Sequence, residues 1–438
     1  MQKNKFIGVI SLGCDKNTCD TEKMLHILKS RHQIVTDPED AQIIIINTCA
    51  FLESSRKEAI EEILSCAQLK KACKLEKLIV TGCLPQKFVS ELYSALPEAD
   101  AFLGVSDYGE ILSVIDGVYE NRRINAVGFP RGECGTERCL TTKGYAYLKI
   151  ADGCSNHCTY CLIPKIRGAY RSVPKAQLIK EAKGLGEVSE LILVAQDVTR
   201  YGQDLEQPTD LVELIKELSL LDNVKGIRLL YCYPENVTDR LIHEFNINGK
   251  LIRYIDIPMQ HADDGVLKLM NRKGTGKSYL ELIEKLKNSV KGIAIRSTFI
   301  TGFPGESEQA FENLVSFIRS AKLFNVGFFK YSREEGTASY NLKDQIPEKE
   351  KGKRLRKLYA EQKKVVKSNL SLLKNRTFSV FVEGFDQEKL VYYGRAYFNA
   401  PNIDGKVYFF SSEEVEFYTH VNVKIIKNDG YDLYGERI

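Results

Sequence analysis

Residues Asp152–Pro164 read DGCSNHCTYCLIP and place Cys154, Cys158 and Cys161 within eight positions. The spacing C-x3-C-x2-C delivers three thiolates from one tight loop, able to converge on a single iron–sulfur cubane. Gly153 permits an abrupt turn out of the preceding strand-like run YLKIAD, and Pro164 blocks an early helix that would straighten the loop. Three thiolates are one short of the four that a four-iron cluster usually takes, which leaves one iron open to a ligand from outside the protein. A closed structural zinc site needs a fourth protein ligand, and His157 is the neighbour on offer. A thioredoxin-like use of Cys158 and Cys161 leaves Cys154 idle. Plain structural thiols are the remaining reading.

The rest of the chain sets limits. Its 438 residues suggest about three domains, and 43% hydrophobic with 27% charged residues is globular composition. A net charge of +4 is too mild to argue for nucleic acid by itself. No run of about 18 apolar residues exists, so no membrane partner is expected. The start, MQKNKFIGVISLGC, enters a short apolar strand at once and lacks the long apolar region of a signal peptide. A reducing cytoplasm is therefore the expected location, where the 12 cysteines persist as thiols, metal ligands or redox groups.

Three hydrophobic periods divide the chain. In residues 1–120 short apolar runs (Ile7–Leu12, Ile43–Ile46, Leu78–Val80, Ala101–Val105) alternate with amphipathic stretches, which predicts a doubly wound α/β domain with a parallel sheet. A polar stretch, 121–142, reads as a linker. Residues 143–345 repeat the β-then-helix unit six times, with strands at Tyr145–Ile150, Leu191–Val194, Gly226–Tyr231, Tyr254–Ile257, Ala294–Ile300 and Val326–Phe329. That fits a partial (βα)6 barrel, although periodicity does not distinguish it from an open sheet. A polar connecting helix is expected over 346–370, with Leu355, Leu358 and Val365 turned inward. Period-two alternation in 371–438 predicts a small all-β barrel.

The barrel reading puts the three-cysteine loop after the first strand of the central series, where such folds carry their chemistry. Three further cysteines, in SLGCDKN, INTCAF and VTGCLPQ, each follow a predicted strand of the first domain. In an open parallel sheet those ends share one edge, so Cys14, Cys49 and Cys83 can meet although they are far apart in sequence. As isolated buried thiols they would be unremarkable. Cys19, Cys66, Cys73, Cys134, Cys139 and Cys232 share no such placement and stay unassigned.

The loop CSNHCTYC resembles the signature of the radical S-adenosylmethionine enzymes, with Tyr160 in its aromatic position. In that superfamily the open iron chelates S-adenosylmethionine, and an electron from the cluster cleaves the sulfonium bond to give a 5′-deoxyadenosyl radical. The two cysteine trios together resemble the methylthiotransferases (MiaB/RimO type), which join an N-terminal three-cysteine domain, a radical core and a terminal TRAM β-barrel. The resemblance implies two [4Fe-4S] clusters, one on Cys14, Cys49 and Cys83 and one on Cys154, Cys158 and Cys161. It also implies S-adenosylmethionine as cofactor, a reduced electron donor and a sulfur source. Among residues following core strands, Gln196, Asp197 and Arg296 join Tyr160 as candidates for the S-adenosylmethionine pocket, with Gln260 and His261 as further rim groups. For each of these, capping a helix or facing solvent is the competing role.

The family divides by substrate. YSREEGTAS (Tyr331–Ser339), SLGCDKN and APNIDG look like the branch that methylthiolates the β-carbon of an aspartate in the twelfth small-subunit ribosomal protein. From Ser371 to Ile438 eight Lys or Arg stand against ten Asp or Glu, a net of −2, which suits a basic protein better than a phosphate backbone. The basic run Lys349–Lys367 favours the alternative, modified adenosine in transfer RNA. A non-catalytic iron–sulfur assembly factor for the ribosome is the reading of another class. Asp15 and Cys19 depart from the branch's usual first motif without removing a cluster ligand.

Overall fold

The computed structural model describes residues 4–130 and 135–438; Cys134 lies outside them. The first sheet contains β1 (Phe6–Ser11), β2 (Gln33–Val35), β3 (Ile43–Thr48), β4 (Lys77–Gly82), β5 (Ala101–Leu103) and β6 (Ile124–Ala126). Its strands are parallel, in the order β2-β1-β3-β4-β5-β6. All six residues of β3 are buried, the burial expected of an apolar run in a sheet covered on both faces. The strand order reverses between β1 and β3, and that switch opens the crevice where such folds bind ligands.

β6 lies inside the stretch read as a linker, so the first sheet extends further than the sequence suggested. Residues 135–142 form a strap. Thr141 donates from its backbone N–H and its Oγ1 to Glu22 Oε1, both at 2.8 Å. The Arg138 side chain is fully buried between Glu22 (3.3 Å) and Glu181 (3.5 Å), and Lys23 reaches Glu181 at 3.2 Å. A buried ionic network of this kind is costly to break, so the strap fastens helix Asp15–Lys29 to the central domain.

The second sheet runs in simple succession: β7 (Tyr145–Lys149), β10 (Glu190–Val194), β11 (Ile227–Leu229), β12 (Leu251–Asp256), β13 (Ala294–Thr301) and β14 (Asn325–Lys330). Two short strands, β8 (Ala151–Asp152) and β9 (Arg171–Ser172), pair with each other beside it. The six strands are parallel, and β7 and β14 form open edges, as in a barrel with a missing sector. One face packs on its own helices through Leu148, Leu191, Leu193 and Ile227. The other presents Tyr147, Ile192, Val194 and Tyr254 to a core shared with Cys19 and the third domain.

That third domain is a closed five-stranded barrel, β15 (Thr377–Asp386), β16 (Val391–Arg395), β17 (Val407–Phe410), β18 (His420–Asp429) and β19 (Asp432–Arg437). Helix Glu348–Ser371 leads into it and buries Leu358, Val366 and Leu370. Val366, not Val365, faces inward, because the buried stripe steps by four residues along this helix. Part of the basic run is structural: Arg354 donates to Glu306 Oε1 at 2.7 Å and Lys351 to the Tyr331 carbonyl at 3.0 Å. Among the described residues no helix is long and apolar enough to cross a membrane.

Candidate active site

The three strand-end cysteines of the first domain gather at its switch point. Register places Thr48 opposite Gly82, so Cys49 and Cys83 follow at the same level on neighbouring strands. Cys14 reaches them through Gly13, whose φ is +103° and where a Cβ would sit 2.8 Å from Cys49 Cβ; only glycine allows this approach. Asn17 stitches the loops together, donating to the carbonyls of Leu12 and Thr48 at 3.0 Å each. Cys14 and Cys83 stand at helix N-termini. Burial pushes the Cys83 thiol up to about 12, Arg167 opposes that, and charge on Cys14 or Cys49 adds to it. The three sulfurs are thus electrostatic neighbours.

The second trio, Cys154, Cys158 and Cys161, lies on the single loop that follows β8. Gly153 has φ +74°, and a Cβ there would lie 2.1 Å from the Ala169 carbonyl, so the turn after β8 requires glycine. The Cys154 amide donates to the Gly168 carbonyl at 3.1 Å and that of Cys161 to the Cys158 carbonyl at 3.0 Å. Burial, joined by charge on Cys158, raises Cys161 to about 12 and Cys154 to about 11. His157, the neighbour a closed zinc site would need, is exposed.

Arg167 joins the two trios, a role the sequence did not reveal. Its fully buried guanidinium donates to Asn17 Oδ1 (2.8 Å), Asp20 Oδ2 (3.2 Å) and Asp152 Oδ2 (2.9 Å), and reaches Cys83 Sγ at 3.7 Å. Lys149, at the end of β7, pairs with Asp20 and lies 3.3 Å from Asp152. Burial works against ionising Asp152, but Arg167 and then Lys149 outweigh it and hold the carboxyl well below its usual range. The signal available was the position of Arg167 just after the cysteine loop, with Asn17 and Asp20 spaced along one helix.

The pocket candidates divide. Tyr160 sits beside Cys158 and Arg272, its ring edge-on to Phe303 at 6.5 Å. Gln196 donates to Asp152 Oδ1 at 3.2 Å, while its Oε1 is buried with no hydrogen-bond partner. Arg272 stacks on Tyr233 at 4.0 Å, and its Nε is likewise buried without a partner. Asp197 is consumed: Oδ1 accepts from the Thr199 amide at 3.1 Å, and Oδ2 accepts from Asn156 of the cysteine loop at 3.1 Å and from Asn236 at 3.4 Å. It positions that loop and has no acceptor to spare for a cofactor. Arg296 is also committed, to Asp256 at 2.9 Å and Asp404 at 3.4 Å. It is the third residue of β13, low on the strand, where it fastens the third domain. His261 is fully buried against Glu306 at 3.3 Å, a packing role.

The donor sets fit iron–sulfur clusters. Among the described residues no three His, Cys, Asp or Glu close on a single ion; a cubane instead spreads its cysteines over separate irons. A cation stands by each trio, Arg167 at Cys83 and Arg272 at Cys158, as suits an anionic group. The orphaned Gln196 Oε1 and Arg272 Nε offer an acceptor and a donor to a polar cofactor beside the second trio. A separate cavity of 780 Å³ is lined by Cys14 and Asp15, by Tyr145 and Leu230 of the central domain, and by Asn402 and Ile403 of the third.

Residues 7–104 match the uncharacterized protein family UPF0004, residues 148–318 the radical SAM superfamily, and residues 376–438 the TRAM domain. The chain is 45% identical over 435 residues to the ribosomal protein uS12 methylthiotransferase RimO of Clostridium kluyveri, covering 98% of this chain and 97% of that one. It is 46% identical over 437 residues to the protein of the same name from Caldanaerobacter subterraneus, covering 98% and 99%. Among solved structures, the radical S-adenosylmethionine methyltransferase TsrM of Kitasatospora setae aligns with TM-score 0.55 at 12% identity, covering 75% of each chain. The cobalamin-dependent radical enzyme OxsB aligns with TM-score 0.53, at 11% identity and 77% and 54% coverage. At such identities these two speak to fold alone.

Proposed function

The chain belongs to the RimO family of radical SAM methylthiotransferases, and we propose that it converts an aspartyl β-C–H of ribosomal protein uS12 into C–SCH3. In this reading Cys14, Cys49 and Cys83 hold one [4Fe-4S] cluster in the N-terminal domain, and Cys154, Cys158 and Cys161 hold the second in the core. Tyr160, Gln196 and Arg272 border the S-adenosylmethionine pocket. When bound, these groups supply the electron, the radical that removes the β-hydrogen and the methylated sulfur that replaces it. The chain's own residues hold the two centres in one rigid frame. Arg167, Asp20, Asp152 and Lys149 lock the first domain onto the cysteine loop of the core and are themselves buried in that junction.

The observation that carries the reading is the direct contact between the trios' supports through Arg167, because sulfur transfer to a radical needs both centres at one substrate. The cavity reaching Cys14 from all three domains supports entry of a protein loop there, and the net −2 of residues 371–438 suits a basic partner.

Anaerobic reconstituted protein, reductant, S-adenosylmethionine and a sulfide source should yield 5′-deoxyadenosine and a methylthio group on uS12 by mass spectrometry. A methylthio group on transfer RNA instead would replace this substrate with the other. Absence of 5′-deoxyadenosine with every substrate would defeat the enzyme reading.

A further inference from the structure

The substrate proposed above carries a carboxylate on the very carbon that reacts, and nothing assigned so far holds it. Lys16, two residues after Cys14, is only 7% exposed. Its Nζ lies 3.4 Å from the centroid of the Tyr231 ring. Among the described residues its ammonium has no carboxylate or hydrogen-bond acceptor as partner. The Lys16 stem is buried, and an aromatic face satisfies one side of its ammonium only. The other donors are left for an anion.

Placement points to the same conclusion. Asp20, one helical turn after Lys16, faces the core and bonds Lys149 and Arg167. Lys16 therefore lies on the same face, one turn nearer Cys14, at the C-terminal ends of the core strands. Tyr231 is held rigidly for its part. Its backbone is in the left-handed region at φ +60°, its amide donates to Asp256 Oδ2 at 3.1 Å, and its hydroxyl donates to Asp15 Oδ2 at 3.0 Å. The last bond turns the Asp15 carboxylate to the phenol rather than to the neighbouring lysine.

We propose that Lys16, backed by Tyr231, is the anion site that receives the side-chain carboxylate of the substrate aspartate beside the Cys14 thiolate. The inference rests on the uS12 reading. It makes Lys16 a specificity-determining residue: a neutral asparagine in the same peptide forfeits the ion pair.

The test uses fluorescent uS12 peptides carrying the target aspartate, or asparagine in its place, titrated by anisotropy against reconstituted wild-type, Lys16→Met and Lys16→Arg proteins of measured iron content. Wild type should prefer the aspartate peptide by about tenfold or more, the scale of one desolvated charge pair. Lys16→Met should lose that preference and Lys16→Arg keep most of it. A Lys16→Met protein with wild-type iron and an unchanged preference overturns the inference, as does a wild type with no preference. If Lys16→Met does not fold, Lys16→Gln is judged by the same criterion. Weakened S-adenosylmethionine binding with an intact peptide preference assigns the site to the cofactor's carboxylate and also overturns it. A wild-type protein that neither binds nor modifies the peptide defeats the uS12 reading itself, which separates the two failures.

Discussion

Replacing Arg167 by Met isolates two buried carboxylates. In the native protein Asp20 and Asp152 share two cations, Arg167 and Lys149, and all four side chains are at most 8% exposed. Without the guanidinium, two negative charges face one positive charge, and Asn17 Oδ1 loses its 2.8 Å donor. Removing one member of a buried ionic group costs about 3–5 kcal/mol. Lys149 remains, which argues for the lower end. Because Asp20 and Asn17 belong to the first domain and Asp152 to the core, the loss falls on docking between them. About 3 kcal/mol weakens that docking by roughly two orders of magnitude. Hydrogen exchange read at helix Asp15–Lys29 and at the strap 135–142 should show faster opening by that factor. Adding Asp20→Asn to Arg167→Met leaves one cation and one carboxylate, so the double variant should recover at least about half of the loss. Arg167→Lys should not rescue fully, since a point-like ammonium lacks the planar fork that reaches Asn17, Asp20 and Asp152 together. A loss below about 1 kcal/mol, or a double variant no better than the single, would refute the claim that charge balance fastens this junction.

Iron content should fall by about half when Cys14, Cys49 and Cys83 are replaced by Ala, and again when Cys154, Cys158 and Cys161 follow; unchanged iron after the first triple would remove the N-terminal cluster. Arg296→Met should loosen the third domain, read by limited proteolysis near helix Glu348–Ser371, while S-adenosylmethionine affinity measured by equilibrium dialysis stays within about twofold. For Glu190, burial opposes ionisation, but Arg228 and then Arg395 outweigh it and hold the carboxyl at about 2, against an ordinary 4.5. Its folded value is depressed, so the stability it contributes is present above pH 4.5 and is lost as pH falls toward 2. Glu190→Gln should therefore flatten the acid limb of the melting curve while lowering stability at neutral pH.

Much of this architecture was legible because it is written in local patterns. The strand runs IIII and LILV are apolar and short, and one turn-making glycine precedes the crowded cysteines, so the loop needed no tertiary information to be recognised. The strands β2 and β6 were missed for a physical reason: each is three residues long, and QIV and INA hold too few apolar side chains to show a period. For Arg296 and Asp197 the sequence left two roles open, because a polar residue in or after a strand looks alike whether it faces a ligand or bonds neighbouring protein. The pairing of Arg296 with Asp256 and with Asp404, on a loop more than 100 residues later, exists only in the folded chain.

The linear order of residues was enough to determine the two thiol trios, the three hydrophobic periods and the family they resemble, since spacing, alternation and turn chemistry act within a few residues of chain. Only the packed molecule decided that Arg167 ties Cys83 to the radical loop and that Lys16 ends on the face of Tyr231 with donors to spare. Those contacts join residues 84 and more than 200 positions apart, and their energies come from desolvation and charge balance, which exist only once the domains have closed on one another.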